Sequence, residues 1–278
     1  MTVFINGRFV RRERARVSVF DRGFLYGDGL FETMRVHQGR LLVPALHLRR
    51  LKAGAEFLRI EIPLTLRELD RFARELVRRN RARDAVLRVN LSRGIGLRGY
   101  GPSGNETPTV VMSLHVAARP EEEPTVRRLA TSSHRVNAGD PLLRHKTSNK
   151  LAHVLACAEA ADAGADEALL LNTDGHVAEA ASANVFWIRG REVRTPALDC
   201  GALPGITRGL VMEWSAALGL RVRECHAKPR ELVAADAVFI TLSSMGVVEA
   251  VSLDGRRLKR SPIVARLREA WRDALRRV

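Results

Sequence analysis

Lys146 stands in LLRHKTSNKLAHVLACAEA, where a loop or strand hands over to a strongly helical segment. A lysine that does chemistry needs an amine deprotonated near neutral pH, and both burial and a nearby helix N-terminus favour that state. Such a position suits Schiff-base formation; the alternative is a solvated lysine in a first helical turn. The competitors are few, because the chain has only Lys52, Lys150, Lys228 and Lys259 besides. Lys52 and Lys150 read as helical residues beside charged neighbours, Lys228 precedes a proline and Lys259 lies in RRLKR.

Other side chains could serve the same chemistry. Glu179, in HVAEAASANVFWI, is a carboxylate among alanines just before an apolar strand. Buried there it needs a cation or a donor, and a pyridinium nitrogen would serve; an exposed turn residue is the alternative. GALPGITRGLVMEW places Pro204-Gly205 before a helix whose first backbone N–H groups belong to Ile206 and Thr207. Those groups and the helix dipole form an anion site that Gly205 lets a phosphate approach, unless the segment is simply a helix start. Arg50, in LHLRRLKAGAEFL, could add a charge-assisted fork to such a phosphate. Ser243 and Ser244 end the buried run VFITLSSMGVV, where they bind a ligand or satisfy local backbone groups.

The elements that must position these residues are mixed. FINGRFV is a hairpin built on Asn6-Gly7, and LFETMRV and RLLV flank a second turn at Gln38-Gly39. Amphipathic segments follow at about 44–59 and 65–80, then strands DAVLRVNLS and TPTVVMSLHV around the Gly-rich loop RGIGLRGYGPSGN. RPEEEP, residues 119–124, brackets an acidic run with prolines and reads as a linker. Beyond it come a helix at about 148–163, strands ALLLN, ANVFWI, VRVRE and AVFITL, a helix after PGIT and a terminal helix from about 261. The expectation is a mixed α/β (α+β) chain of two domains, 1–118 and 125–278, and not a doubly wound sheet. No GxGxxG follows a strand, so a dinucleotide fold has no support.

Composition narrows the function classes. With 278 residues and 46% hydrophobic content the chain has enough apolar material for one large core or two modest ones. The net charge of +15 invites a nucleic-acid reading, but the arginines lie beside acids in RERAR, RELDRFAREL and RLREAWRDALRR, the pattern of solvated helix faces. No nucleic-acid partner and no membrane is expected. Without a secretory leader or a long apolar run, a cytoplasmic location is expected. Three cysteines with no CxxC pair and eight histidines without ligand spacing give no sign of disulfides or metal.

The order of these motifs along the chain resembles that of the fold-type IV pyridoxal-phosphate family, which includes branched-chain aminotransferases, D-amino-acid aminotransferases and aminodeoxychorismate lyases. The resemblance covers nearly the whole chain, through FINGRFV, VSVFDRGFLYGDGLFETMRV, LHLRRL, HKTSNKL, GADEALLLNTDGHVAEAASANVFW, LPGITRG and ADAVFITLSS. It implies pyridoxal 5′-phosphate held between two domains, with Lys146 as the catalytic Schiff-base lysine. Glu179 would hold the pyridine nitrogen, and Arg50, the Ile206 and Thr207 amides and Ser243 the phosphate. It also implies Tyr26, Phe31, Thr33, Arg98 and Tyr100 at the amine or amino-acid substrate, Arg98 being the carboxylate trap, and a homodimer.

Within that family SRGIGLRGYGPSG and the K-T-S-N lysine context are similar to the lyase, so the expected reaction is pyruvate elimination from aminodeoxychorismate, giving 4-aminobenzoate for folate. The alternative is an aminotransferase acting on D-amino acids or branched-chain L-amino acids with a keto acid acceptor. Glu32, where the lyase pattern has a second threonine, and Leu242-Ser243, in place of Asn-Ala, depart from the lyase. A non-catalytic binding protein of the same fold is a further reading, opposed by the intact set of Lys146, Glu179 and Arg50.

Overall fold

A computed structural model describes residues 1–102, 104, 106–120 and 126–277. The strands are β1 (Thr2–Ile5), β2 (Arg8–Arg11), β3 (Gly29–His37), β4 (Arg40–Leu41), β5 (Ala85–Ile95), β6 (Thr107–Val116), β7 (Val126–Val136), β8 (Glu167–Asn172), β9 (Val177–Ala180), β10 (Asn184–Arg189), β11 (Glu192–Pro196), β12 (Arg221–Cys225), β13 (Ala237–Leu242), β14 (Gly246–Leu253) and β15 (Arg256–Arg257). The helices are α1 (Arg22–Tyr26), α2 (Pro44–Leu58), α3 (Leu66–Arg79), α4 (Leu151–Asp162), α5 (Ile206–Ala217), α6 (Pro229–Val233) and α7 (Pro262–Arg276). None of these is long and apolar enough to cross a membrane.

The chain forms two compact α/β units. The first holds the described residues of 1–121 together with His145–Asn149; the second holds those of 122–144 and Lys150–Arg277. Residues 121–124 of the expected linker lie outside the described residues.

In the first unit a six-stranded antiparallel sheet runs β2-β1-β6-β5-β3-β4. Asn6 and Gly7, and Gln38 and Gly39, both turn through positive φ (44° and 85°; 49° and 81°), which Asn and Gly tolerate. The period-2 pattern of the strands gives the sheet two different faces. Leu30, Met34 and Val36 of β3 join Leu87, Val89 and Leu91 of β5 and Val110, Met112 and Leu114 of β6 in a core with Leu48, Leu51, Leu69 and Leu76 of α2 and α3. The alternate residues Phe31, Thr33, Arg88, Asn90 and Ser113 belong to the opposite face. A capping box between Thr65 and Glu68 starts α3.

His145–Asn149 stays with this unit because its backbone pairs with β3. Phe31 N–H donates to Lys146 O and Ser148 N–H to Gly29 O, each at 2.9 Å, and Thr147 bridges to Leu30.

The second unit is built on a mixed sheet in the order β12-β11-β10-β13-β14-β7-β8-β9, with β15 beside β14. The pairs β11·β12, β14·β7 and β7·β8 are parallel and the others antiparallel. β10 and β13 are nearly continuous apolar runs, as strands covered on both faces must be. Trp187, Val238 and Ile240 belong to one core, while Phe186, Ile188 and Phe239 pack in another with Val211 of α5 and Leu267 of α7.

Candidate active site

The expected residues divide between the units. In the first, Lys146 is half-buried on the segment paired to β3, and α4 begins five residues later at Leu151. Its Nζ lies 4.5 Å from the centre of the Phe31 ring, over which the Arg88 guanidinium also lies at 3.9 Å. Phe31 and Asn90, and Thr33 and Arg88, are cross-strand partners, and Arg88 Nε donates to Asn90 Oδ1 at 2.9 Å. Burial holds the Arg88 pKa below the ordinary guanidinium value. Asn149 reaches back to α1, where its side-chain amide donates to Gly27 O at 3.3 Å. Gly27 caps α1 at φ 68°, and a Cβ there would come within 2.5 Å of Asn149 Oδ1, so glycine serves both the left-handed turn and the close approach.

Arg50 projects from α2 into a buried ion pair. Its Nε and Nη2 donate to the two oxygens of Glu32 at 2.7 and 2.8 Å, and His47 Nδ1 meets Glu32 Oε2 at 2.7 Å. Helical pitch puts His47 and Arg50, three residues apart, on the face that meets β3. Burial pushes the Glu32 pKa upward, but the hydrogen bonds and charges of Arg50 and His47 outweigh it and hold the carboxyl at about 2. The bidentate fork fixes the Arg50 guanidinium plane.

Tyr26 and Tyr100 meet edge to face with centroids 5.5 Å apart, and Tyr26 OH accepts from Gly99 N–H at 3.2 Å. Buried Arg22 ties this loop down by donating to Gly99 O and Tyr100 O, each at 2.8 Å, and to Asp28 Oδ2 at 2.9 Å. Arg93 holds the same carboxylate and donates to Leu58 O and Arg59 O. Burial raises the Asp28 pKa, yet these two guanidinium groups bring it below the usual carboxylate range. Arg98, the expected carboxylate trap, is exposed on this loop, as is Tyr100; Thr33 is half-buried.

In the second unit Glu179 lies on β9, opposite Leu170 of β8, and is buried. Leu203 N–H donates to its Oε2 at 3.0 Å and the Asn184 side-chain amide reaches the same atom at 3.5 Å; that amide also donates to Leu203 O at 2.8 Å. His153 of α4 is buried with neither ring nitrogen hydrogen-bonded among the described residues, and its Nε2 is 3.6 Å from Glu179 Oε1. Lys150, at the start of α4, feels opposing influences: burial lowers its pKa and the Glu179 charge raises it, and burial prevails. Motif reading passed over Asn184 and His153 and set Lys150 aside as an ordinary charged helical residue. Only the fold turns all three toward Glu179.

Gly205 begins α5, and no side chain caps the helix. A Cβ on Gly205 would lie 1.9 Å from Asn184 Oδ1, so this glycine is what lets the Glu179 support pack against the helix start. Thr207, buried in the first turn, has its Oγ1 3.3 Å from Ser243 Oγ, just beyond β13. Thr241 Oγ1 is buried without a hydrogen-bond partner among the described residues.

A family model described as amino-transferase class IV matches residues 29–253. The chain belongs to the class IV aminotransferase family. A Methanocaldococcus jannaschii protein with the provisional name branched-chain-amino-acid aminotransferase is 34% identical over 98% of this chain and 96% of its own. The aminodeoxychorismate lyase of Bacillus subtilis is 31% identical over 91% of this chain and 86% of its own. Among solved structures, the branched-chain aminotransferase of the thermophilic archaeon Thermoproteus uzoniensis with norvaline superposes with a TM-score of 0.92 at 29% identity, covering 99% of this chain and 95% of that one. A T.th. branched-chain amino acid aminotransferase with pyridoxamine 5′-phosphate superposes equally well, with a TM-score of 0.92 at 31% identity over 99% of this chain and 93% of that one.

This class IV chain is a pyridoxal-phosphate-dependent enzyme of fold type IV, and each unit by itself holds groups of a kind that suits the cofactor. The first carries the Lys146 amine beside the Phe31 ring. In the second, Glu179 is a buried carboxylate whose Oε2 accepts from Leu203 N–H and the Asn184 amide. The start of α5 offers uncapped backbone N–H groups beside the Thr207 and Ser243 hydroxyls, a natural anion cradle.

Proposed function

We propose that the chain is an aminotransferase that moves the amino group of a branched-chain L-amino acid to a keto acid. The observation that carries this reading is the buried Glu32–Arg50–His47 cluster. The lyase pattern has threonine at that position, and one hydroxyl could not accept the Arg50 fork and the His47 ring together. Identity of 34% across 98% of the chain to the Methanocaldococcus jannaschii protein, against 31% across 91% to the Bacillus subtilis lyase, supports the same choice. The lyase expected from SRGIGLRGYGPSG and K-T-S-N therefore becomes the second reading.

Pyridoxal phosphate carries the amino group between substrates and acts as an electron sink. We assign its covalent attachment to Lys146 Nζ. As a free amine, that Nζ would be the base that takes the proton from the substrate Cα. Glu179, its Oε2 fixed by Leu203 and Asn184, would hold a proton on the pyridine nitrogen. The Ile206 and Thr207 amides, Ser243 and Arg50 bind the phosphate, with Glu32 orienting Arg50. Phe31 offers an apolar wall to the substrate side chain, Tyr26, Thr33 and Tyr100 border it, and Arg98 meets the carboxylate. Two copies form the working homodimer.

Incubation of the holoenzyme with L-leucine, L-isoleucine or L-valine and 2-oxoglutarate tests this reading, the expected product being glutamate. Equal amounts of pyruvate and 4-aminobenzoate from aminodeoxychorismate without added keto acid, and no glutamate, would establish the lyase instead. Turnover of D-alanine with no L-amino acid used would assign the D-specific alternative.

A further inference from the structure

The second unit also contains a cluster that this chemistry does not use. β11 and β12 run parallel with Pro196 opposite Cys225, and Ala197 N–H donates to Cys225 O at 3.2 Å. This register sets the short helical turn Leu198–Cys200 against the residue that follows β12, His226. One potential ligand atom from each of Asp199, Cys200 and His226 lies within 4.8 Å of the other two. His226 Nε2 is 2.7 Å from Asp199 Oδ1, and the His176 ring lies 5.4 Å from the His226 ring, centre to centre.

Tetrahedral zinc, with bonds of roughly 2.0–2.3 Å to N, O and S, places its ligand atoms roughly 3.3–3.6 Å apart. Movements of about 1 Å, well within side-chain rotation, would bring the three atoms to that spacing. We propose that Asp199, Cys200 and His226 bind a divalent transition ion of the zinc type, with His176 or water completing the coordination. A thiolate, an imidazole and a carboxylate together select such borderline ions over magnesium or calcium, which prefer oxygen alone. Cys200 binds as the thiolate, so its S–H proton passes to solvent as the metal–sulfur bond forms. Asp199 and His226 alone would be an ordinary exposed surface pair; the Cys200 sulfur beside them supplies the soft ligand of a transition-metal set. Ligand spacing along the sequence does not reveal this site, because only the parallel pairing of β11 and β12 joins its halves.

The location bears on the active site. Three residues beyond Cys200 the same backbone supplies the Leu203 N–H that holds Glu179 Oε2. A metal joining the 199–200 turn to His226 would clamp the segment entering that contact.

The test is a Co2+ titration of tag-free holoenzyme, read as a difference spectrum against the metal-free holoenzyme. The expected result is one Co2+ per chain with a near-ultraviolet thiolate-to-cobalt charge-transfer band that Zn2+ displaces. Cys200→Ser should abolish the band. His226→Ala, an exposed change that leaves the core intact, should weaken binding by about a hundredfold, one ligand's share of a structural zinc affinity. Zn2+ should raise the Tm of the wild type and not of His226→Ala at the same concentration. No charge-transfer band in the wild type, a band that survives Cys200→Ser, or equal affinity in wild type and His226→Ala would each overturn the assignment.

Discussion

Replacing Glu32 by Gln keeps the size of the side chain and removes the charge that Arg50 and His47 share. In the folded chain this carboxyl titrates at about 2, against an ordinary value of 4.5. The difference corresponds to about 3 kcal/mol of stability at neutral pH. Losing one partner of a buried ion pair costs roughly 3–5 kcal/mol, in agreement. The sign follows from the direction of the shift. A carboxyl held below its unfolded value contributes fully above pH 4.5 and loses that contribution as pH falls toward 2. Urea unfolding of wild type and Glu32→Gln at several pH values is the assay. At pH 7 the variant should be about 3 kcal/mol less stable, and the gap should narrow to a few tenths of a kcal/mol near pH 2. The variant should also bind cofactor more weakly, because the guanidinium loses the fork that orients it. Equal stability at pH 7, or a gap that does not change across this acid window, would refute the linkage. Normal cofactor affinity beside lost stability would confine Glu32 to a structural role.

Three further outcomes are expected. Borohydride reduction of the holoenzyme followed by peptide mapping should place the cofactor on Lys146, and Lys146→Ala should lose both the adduct and the visible absorbance; an adduct on Lys150, the other amine near the described machinery, would reassign the chemistry. Glu179→Gln should retain cofactor but slow substrate Cα–H exchange with solvent by on the order of a hundredfold, measured by NMR in deuterated buffer. Gly205→Ala should drive Asn184 out of its place and destabilise the chain by roughly 1–3 kcal/mol, with weaker cofactor retention on dialysis; a crystal structure of the variant with Asn184 undisturbed would contradict this.

Much of the fold could be read from local signals, because those signals act over a few residues. Asn6-Gly7 and Gln38-Gly39 supply the positive φ of tight hairpins, and the amphipathic runs at about 44–59 and 65–80 became α2 (44–58) and α3 (66–79). The weak points are elements whose partners are distant. α1 is too short to show a helical period, and β7, VRRLATSSHRV, lacks an apolar alternation because only Leu129, Ser132 and Val136 along it are buried. The segment carrying Lys146 gives no strand signal of its own, since its structure comes from pairing with β3 far upstream.

The same distinction governs the site. Lys146, Glu179 and the Gly205 helix start stand in local contexts that already suggest their chemistry. Their supports do not: Glu32 looked like a departure from a pattern until α2 set Arg50 and His47 against it. Asn184 is one polar residue at the head of an apolar strand, yet it joins Glu179, Leu203 and, by close approach, Gly205. A residue that contacts reacting groups must be of a specific type, whereas a residue that positions them needs only the right place in the fold. The first kind is therefore visible in sequence and the second emerges with the structure. Glu32→Gln and Gly205→Ala probe the second kind, where the substituted side chain lies one contact removed from the groups assigned to the cofactor.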